Sequence, residues 1–373
     1  MWTFFKKFTS ALTVILLDLN SAVAQVSASP SGPAAVYFNP AGITELAKTQ
    51  LMVGSAMVDQ KTHFQSSTTS ESAQTNNLIQ LIPHLYLTHR FEPINNKNIA
   101  FGLGIYRPVG VDFEWPDSWQ GRFGVIEKKT TFTIISPIVA FEASDKLSLA
   151  AGLQIADIRA HVRQSLQIPG IVPESVLVAE NGRAQTWGWR AGLQYKFSDT
   201  ISTRLQYASA LRTPITGHGR FVGPASAFFA DTKLESAVNV PDVALAGISI
   251  RLTPQWKIST DVVWQNGSMA KASPLTFETT ANSPLPQSML NLPGPRNWHD
   301  TFSMGLGLEY KLSPQITLRG GYFRHETPVP DETLTPGFFD ARAQTFSIGS
   351  GYRWNRFTFD IAYTRSISQS RWR

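Results

Sequence analysis

Asp157, Arg159, His161 and Arg163 alternate with Ile158, Ala160 and Val162. Side chains on a strand alternate faces, so the four ionisable groups share one face. Such a face could meet water or present a cation to a ligand. Elsewhere the residues that carry covalent chemistry are scattered. The chain has no G-x-S-x-G, no H-E-x-x-H, no phosphate-binding loop and no complete G-x-G-x-x-G. Its seven histidines do not pair at metal-ligand spacing, and His84 and His89 fall on opposite faces of one strand. No Ser-His constellation stands out. The expectation is a protein that is not an enzyme and uses no metal or cofactor.

The elements that position these residues are strands. In 187–197, Trp187, Trp189, Ala191, Leu193, Tyr195 and Phe197 share one face, and Gly188, Arg190, Gly192, Gln194 and Lys196 share the other. An apolar face with aromatic ends, backed by a small and polar face, suits a membrane β-barrel with lipid outside and water or ligand inside. The same pattern gives thirteen strands, near 51–59, 81–91, 98–107, 130–142, 146–163, 185–197, 200–212, 241–252, 255–265, 299–312, 315–325, 342–354 and 356–366. Tight turns alternate with long loops at 60–80, 108–129, 164–184, 213–240, 266–298 and 326–341. Outer-membrane barrels have that arrangement, with short turns in the periplasm and long loops outside. A β-propeller would repeat its sequence every 40–50 residues or so, and no such repeat is present.

The bulk composition agrees. The chain has 373 residues, a net charge of +6, 42% hydrophobic residues and no cysteine. Only every second strand residue needs to be apolar, and no disulfide framework exists. No Lys/Arg run tracks a phosphate backbone, so nucleic acid is not an expected partner. Lys6 and Lys7, the apolar run Ala11 to Leu17, and Ala22-Val23-Ala24 read as a secretory signal over 1–24. The domain reading is signal 1–24, an N-terminal segment 25–50 and a barrel 51–373. The apolar run falls well short of the ~20 residues that a spanning helix needs.

Three places break the alternation. In 146–163 the apolar parity flips after Ala156. Either a β-bulge there keeps the charges inward, with Arg159 in the lumen, or the strand has left the membrane and the charges are solvated. At Tyr106-Arg107-Pro108-Val109-Gly110, Pro108 cannot donate to a ladder and Gly110 tolerates a kink, so the wall opens there or the long loop begins. Asn39-Pro40-Ala41-Gly42 is a turn-forming element placed where a segment could fold into the lumen as a plug.

In order and spacing, these residues resemble the FadL-type long-chain fatty acid transporters of the Gram-negative outer membrane (OMPP1/FadL/TodX), from about Gly32 to Tyr363. Asn39-Pro40-Ala41-Gly42 resembles the hatch motif and Trp119-Gln120-Gly121-Arg122-Phe123 the W-x-G-R-[YF] signature. Leu205 to Ser209, Thr213-Pro214, Gly217 and Phe221 resemble the central-strand segment, and Asn239-Val240-Pro241-Asp242 the approach to the next strand. Gly320-Gly321-Tyr322, Thr327-Pro328-Val329-Pro330, Asp340-Ala341-Arg342, Gly349 and Asp360-Ile361-Ala362-Tyr363 complete the likeness.

The resemblance implies an all-β, fourteen-stranded antiparallel transmembrane barrel with an N-terminal hatch in its lumen. Thirteen strands are found here, and closure by thirteen would leave the first and last parallel. The stretch before Asn39 is short for a hatch of this family. The resemblance implies hydrophobic ligands that bind outside, reach a lumen pocket and leave through a wall opening at a kinked third strand, where Pro108 and Gly110 fall. Arg159 and His299 become the carboxylate candidates, and Phe221, Phe228 and Phe229 a loop landing site. The expected setting is the outer membrane. The expected partners are a long-chain fatty acid or similar hydrophobic compound, lipopolysaccharide and the barrel-assembly machinery, with the protein a monomer. A channel for neutral hydrocarbons would leave Arg159 structural. A receptor or structural barrel would transport nothing.

Overall fold

A computed structural model describes residues 8–10, 32–76, 78–108, 110–168, 172–227, 231–278, 291–292, 294–338 and 340–371. Thirteen strands follow one another around a barrel: β1 Thr49–Gln60, β2 Leu78–Arg90, β3 Ile99–Tyr106, β4 Glu127–Glu142, β5 Leu147–Ile168, β6 Val172–Lys196, β7 Ile201–Ala208, β8 Val243–Arg251, β9 Trp256–Gln265, β10 Thr301–Lys311, β11 Ile316–His325, β12 Ala343–Trp354 and β13 Phe357–Ser368. Each pairs antiparallel with the next. The sheet wraps as a closed barrel, yet among the described residues no ladder joins β13 to β1. With thirteen antiparallel strands the first and last run parallel, so the antiparallel pattern of the other pairs cannot continue between them.

Local chemistry explains the turns. Asn95 and Asn96, between the bridged Ile94 and Lys97, have φ of 50° and 60°. Two-residue hairpins need that left-handed geometry, and asparagine tolerates it. Alternation sets the faces. Leu51, Val53, Met57, Trp187, Trp189, Phe359 and Ile361 are exposed on the outside. A belt of large exposed apolar side chains on every strand is what a lipid-facing wall requires.

β5 and β6 are 22 and 25 residues long, more than the ~9–11 that cross a bilayer. Their outer ends continue into a sheet with Pro214–Val222, Thr232–Ala237, Leu275–Phe277 and Asn291–Leu292 at the long-loop end. There Leu177, Ala179, Phe221, Ala225, Leu234 and Phe277 form a buried cluster. A separate sheet at the same end pairs Phe8–Ser10, Thr62–Gln65 and Ser72–Gln74.

Of the two readings of the polarity flip, the bulge near Ala156 is absent. β4 and β6 keep one register with β5 through Ile155, Ala156, Asp157 and Ile158, and the shift lies on β6 between Ala179 and Gly182. Facing is continuous; polarity inverts. Beyond Ala156 the outward residues Asp157, Arg159, His161 and Arg163 are polar because the strand has risen out of the apolar belt. Ile158, on the inner side, packs in the core, and Val162 against the loop-sheet cluster.

Candidate functional site

The segment before β1 lies inside the barrel. A short helix, α1 (Ala35–Phe38), leads into a 3₁₀ turn, Pro40–Glu45, and Ala35, Val36, Ala41 and Ile43 are almost wholly buried. They pack on Tyr86, Ala100, Tyr106, Phe132, Ile134 and Ile138 from the inward faces of β2, β3 and β4. Small residues make the room. A Cβ at Gly102 would stand 2.7 Å from Val36 Cγ2, and one at Gly192 would stand 2.5 Å from Pro40 Cγ. Such approaches exclude any larger side chain.

Polar contacts fix the seat. Asn39 Nδ2 donates to Gln194 Oε1 at 2.5 Å, and Gly42 sits where a Cβ would strike Asn39. Gln194 Nε2 donates to Glu45 Oε1 at 2.5 Å, Lys196 pairs with Glu45 at 2.8 Å, and Thr44 and Ser148 hydroxyls lie 3.0 Å apart. Arg190, 1% exposed, donates from Nη1 to Tyr106 Oη at 2.8 Å and from Nη2 to the Tyr37 carbonyl at 2.5 Å. Its guanidinium also stands 4.6 Å from the centre of the Tyr37 ring. Asn39-Pro40-Ala41-Gly42 is therefore the part of the plug that meets β6. The plug reaches from Ser148 and Lys196, beside the short turns, to Tyr106 and Arg190 midway up.

The wall is interrupted beside the plug. The β2–β3 ladder runs from Arg90↔Ala100 to His84↔Tyr106 and stops. Tyr106 pairs with Ile134 and Gly110 with Thr131, so four steps along one strand oppose three along the other. Pro108 falls within that shift. Gly110–Glu114 then pairs with β4 alone, while Leu78–Pro83 of β2 keeps its ladder only with β1 among the described residues. One side chain bridges the break, with Gln80 Nε2 donating to the Asp112 carbonyl at 2.7 Å. Aromatic rings lead from there to the plug: His84 to Tyr86 at 5.7 Å, Tyr86 to Tyr106 at 5.8 Å and Tyr106 to Tyr37 at 4.8 Å between centres. His84 Nδ1 is buried without a hydrogen-bond partner.

The opposite wall is different. Strands β7 to β13 point charges inward: Arg204 holds both oxygens of Asp261 at 2.7 and 2.8 Å, and Arg319 bonds Glu309 at 3.2 Å and Asp360 at 2.7 Å.

The carboxylate candidates are not brought together. Arg159 shares the exposed outer face of β5 and pairs with Asp157 at 3.3 Å, so the expectation that it enters the lumen is corrected by the unbroken register. His299 is exposed at the long-loop rim just before β10, with its backbone N–H donated to Pro328 at 3.0 Å. Phe221 is buried in the loop-sheet cluster, not displayed as a landing site; Phe228 and Phe229 lie outside the described residues. Arg190 is the functional candidate that sequence reasoning passed over. Its signal was a lone arginine among glycines on the inward face of 187–197.

Two of the quoted motifs brace the long loops. Trp119 stacks on Trp115 with centres 4.2 Å apart, meets Phe64 edge-on and donates from Nε1 to Val125 O at 2.9 Å, and Gly121 leaves its ring room. Asp242 accepts from Tyr207 Oη at 2.7 Å, Ala210 N–H at 2.9 Å and Asn266 Nδ2 at 3.0 Å. Burial alone would raise the Asp242 carboxyl, but these donors outweigh it and hold it below the usual aspartate value.

Comparison with known proteins accords with this geometry. A family model described as "Outer membrane protein transport protein (OMPP1/FadL/TodX)" matches residues 16–371. A long-chain fatty acid transport protein of Salmonella typhi is 21% identical over 349 residues, covering 85% of this chain and 77% of the relative. The crystal structure of a Pseudomonas aeruginosa FadL homologue superposes with a TM-score of 0.77 at 20% identity, over 98% of this chain and 91% of that one. The Pseudomonas putida toluene transporter TodX gives 0.64 at 15% identity, over 91% of each chain. The chain belongs to the OMPP1/FadL/TodX family of outer-membrane β-barrel proteins that transport hydrophobic compounds.

Proposed function

We propose that the protein takes up long-chain fatty acids or similar hydrophobic molecules from the outer surface, through the upper lumen, and releases them sideways between β2 and β3. The observation that carries this reading is the juxtaposition of a filled lower lumen with a wall whose ladder stops at His84 and Tyr106. A ligand entering from the long-loop end meets the plug and, beside it, a stretch of wall without backbone pairing. Each CH₂ moved out of water contributes about 0.8 kcal/mol, enough to bind a long chain without any catalytic step. Gating would come from displacement of the plug at its Arg190 and Gln194 contacts.

A second reading, transport of neutral hydrocarbons, is favoured by one observation: neither Arg159 nor His299 offers a charge to the lumen. Uptake of radiolabelled oleate and toluene by a Gram-negative host lacking its own transporter tests both. The protein should raise uptake above the empty vector. Pro108→Val with Gly110→Val, which restores a donor and strand geometry, should lower it several-fold. Correctly folded protein that raises uptake of neither compound would overturn the proposal, and unchanged uptake by the double variant would remove the lateral route.

A further inference from the structure

Two arginines stand opposite each other on the outside of the barrel, just above the lipid belt. The register of β4, β5 and β6 sets their outward residues in rows. Ile135, Ile155 and Trp187 form the last apolar row, and all three are exposed. The next row is Thr133, Asp157 and Gln185, and the row after it is Thr131, Arg159 and Arg183. Arg159 and Arg183 are both exposed. A third arginine lies on the other side of β6. The Thr186 hydroxyl donates to the Arg212 carbonyl at 2.9 Å, and Arg212 is exposed between the buried Leu211 and Thr213, so it also points outward.

Like charges directly opposite on a sheet are unfavourable unless an anion lies between them. Other exposed cations of the same face have an acid at hand: Arg220 bonds Glu180 at 2.9 Å, Lys233 bonds Glu235 at 2.7 Å, and Lys129 pairs with Glu127. Arg159 has only the exposed Asp157, at 3.3 Å. Arg183 and Arg212 make no ion pair among the described residues. Three cations therefore share one carboxylate.

Their height indicates what supplies the missing charge. Trp187 and Trp189, 70% and 47% exposed, mark the interfacial girdle. Arg183 lies four residues beyond Trp187, about 13 Å along a tilted strand. Lipid headgroups begin at that level, and this end of the barrel faces the outer leaflet. The lipid there is lipopolysaccharide, whose phosphates sit directly above its acyl chains. Arginine binds phosphate through a planar, bidentate fork, and basic clusters beside an apolar wall bind anionic headgroups.

We propose that Arg159, Arg183 and Arg212 form a phosphate site for one lipopolysaccharide molecule standing against the β5–β6 wall. Its acyl chains lie along Leu153, Ile155, Trp187 and Trp189, the exposed apolar residues directly below. This site is on the lipid side of the wall and takes no part in the lumen.

The test titrates purified, refolded protein in detergent with bisphosphorylated lipid A and with the same lipid stripped of phosphate, reading bound lipid by native mass spectrometry. The parent should prefer the phosphorylated form by about ten-fold or more. Arg159→Gln with Arg183→Gln should lose most of that preference, whereas Arg220→Gln, which removes a cation already paired, should keep it. Heat-modifiable migration in gels establishes that each variant is folded. If the double variant does not fold, Arg183→Lys, which keeps the charge but not the fork, should show a partial loss. A parent that binds both lipids equally, or a folded double variant with undiminished preference, overturns the site. Inorganic phosphate at millimolar concentration should not displace the lipid. If it does, the arginines hold a free anion and the lipid is not their occupant.

Discussion

The wall from β2 to β6 and the wall from β7 to β13 fill the same lumen by different means. The first packs apolar side chains and glycines against an internal plug and tolerates a broken ladder beside Pro108. The second holds uninterrupted ladders from β7 to β13 and spans its inner face with Arg204–Asp261 and Arg319–Glu309–Asp360. On the proposed lateral route, the difference separates rigidity from passage. Arg204–Asp261 and Arg319–Asp360 each reach across an intervening strand and Arg319–Glu309 joins neighbours, so the charged side is cross-braced where the plug side has a gap.

That separation can be broken by mutation. The largest expected effect is on the charged side. Asp261→Ala leaves Arg204 buried and unpaired, and should lower stability by about 3–5 kcal/mol, read from guanidinium unfolding of the refolded barrel. Ion conductance in planar bilayers should stay low, and a large rise would mean that the charged wall also gates. The plug side should respond the other way. Ile43→Ala removes a fully buried side chain, costs about 2–4 kcal/mol of plug docking, and should raise conductance while the barrel unfolds at nearly the same denaturant concentration. The smallest effect belongs to Arg159→Ala. An exposed pair with Asp157 contributes little, so stability should change by less than about 0.5 kcal/mol and oleate uptake should be unchanged. A marked loss of uptake would return Arg159 to the ligand path.

Much of this fold is legible in the sequence because strand alternation is local. Trp187 to Phe197 and Trp256 to Trp264 show their faces directly, and the order of turns and loops follows. Alternation gives facing without giving depth. The residues after Ala156 change polarity because β5 leaves the apolar belt, and that resembles a bulge when only the parity of apolar residues is visible. The buried polar contacts were less legible for a different reason. Lys128 at the outer end of β4, Arg296 in the loop before β10 and Phe338 in the loop before β12 meet only in the folded barrel, so no spacing rule links them. Arg190 stands in the middle of a legible strand, yet its partner, the Tyr37 carbonyl, comes from the plug.

The lateral route is the central claim, and photolabelling tests it most directly. A long-chain fatty acid carrying a terminal diazirine would be bound by the protein in outer-membrane vesicles, irradiated, and its adducts located by mass spectrometry. The account predicts labels on Leu78 to Tyr86 of β2 and on Tyr106 to Glu114, the two sides of the break. Labels confined to the short-turn end of the lumen, around Ser148 and Lys196, would contradict it, because the ligand would then be passing through the plug along the barrel axis.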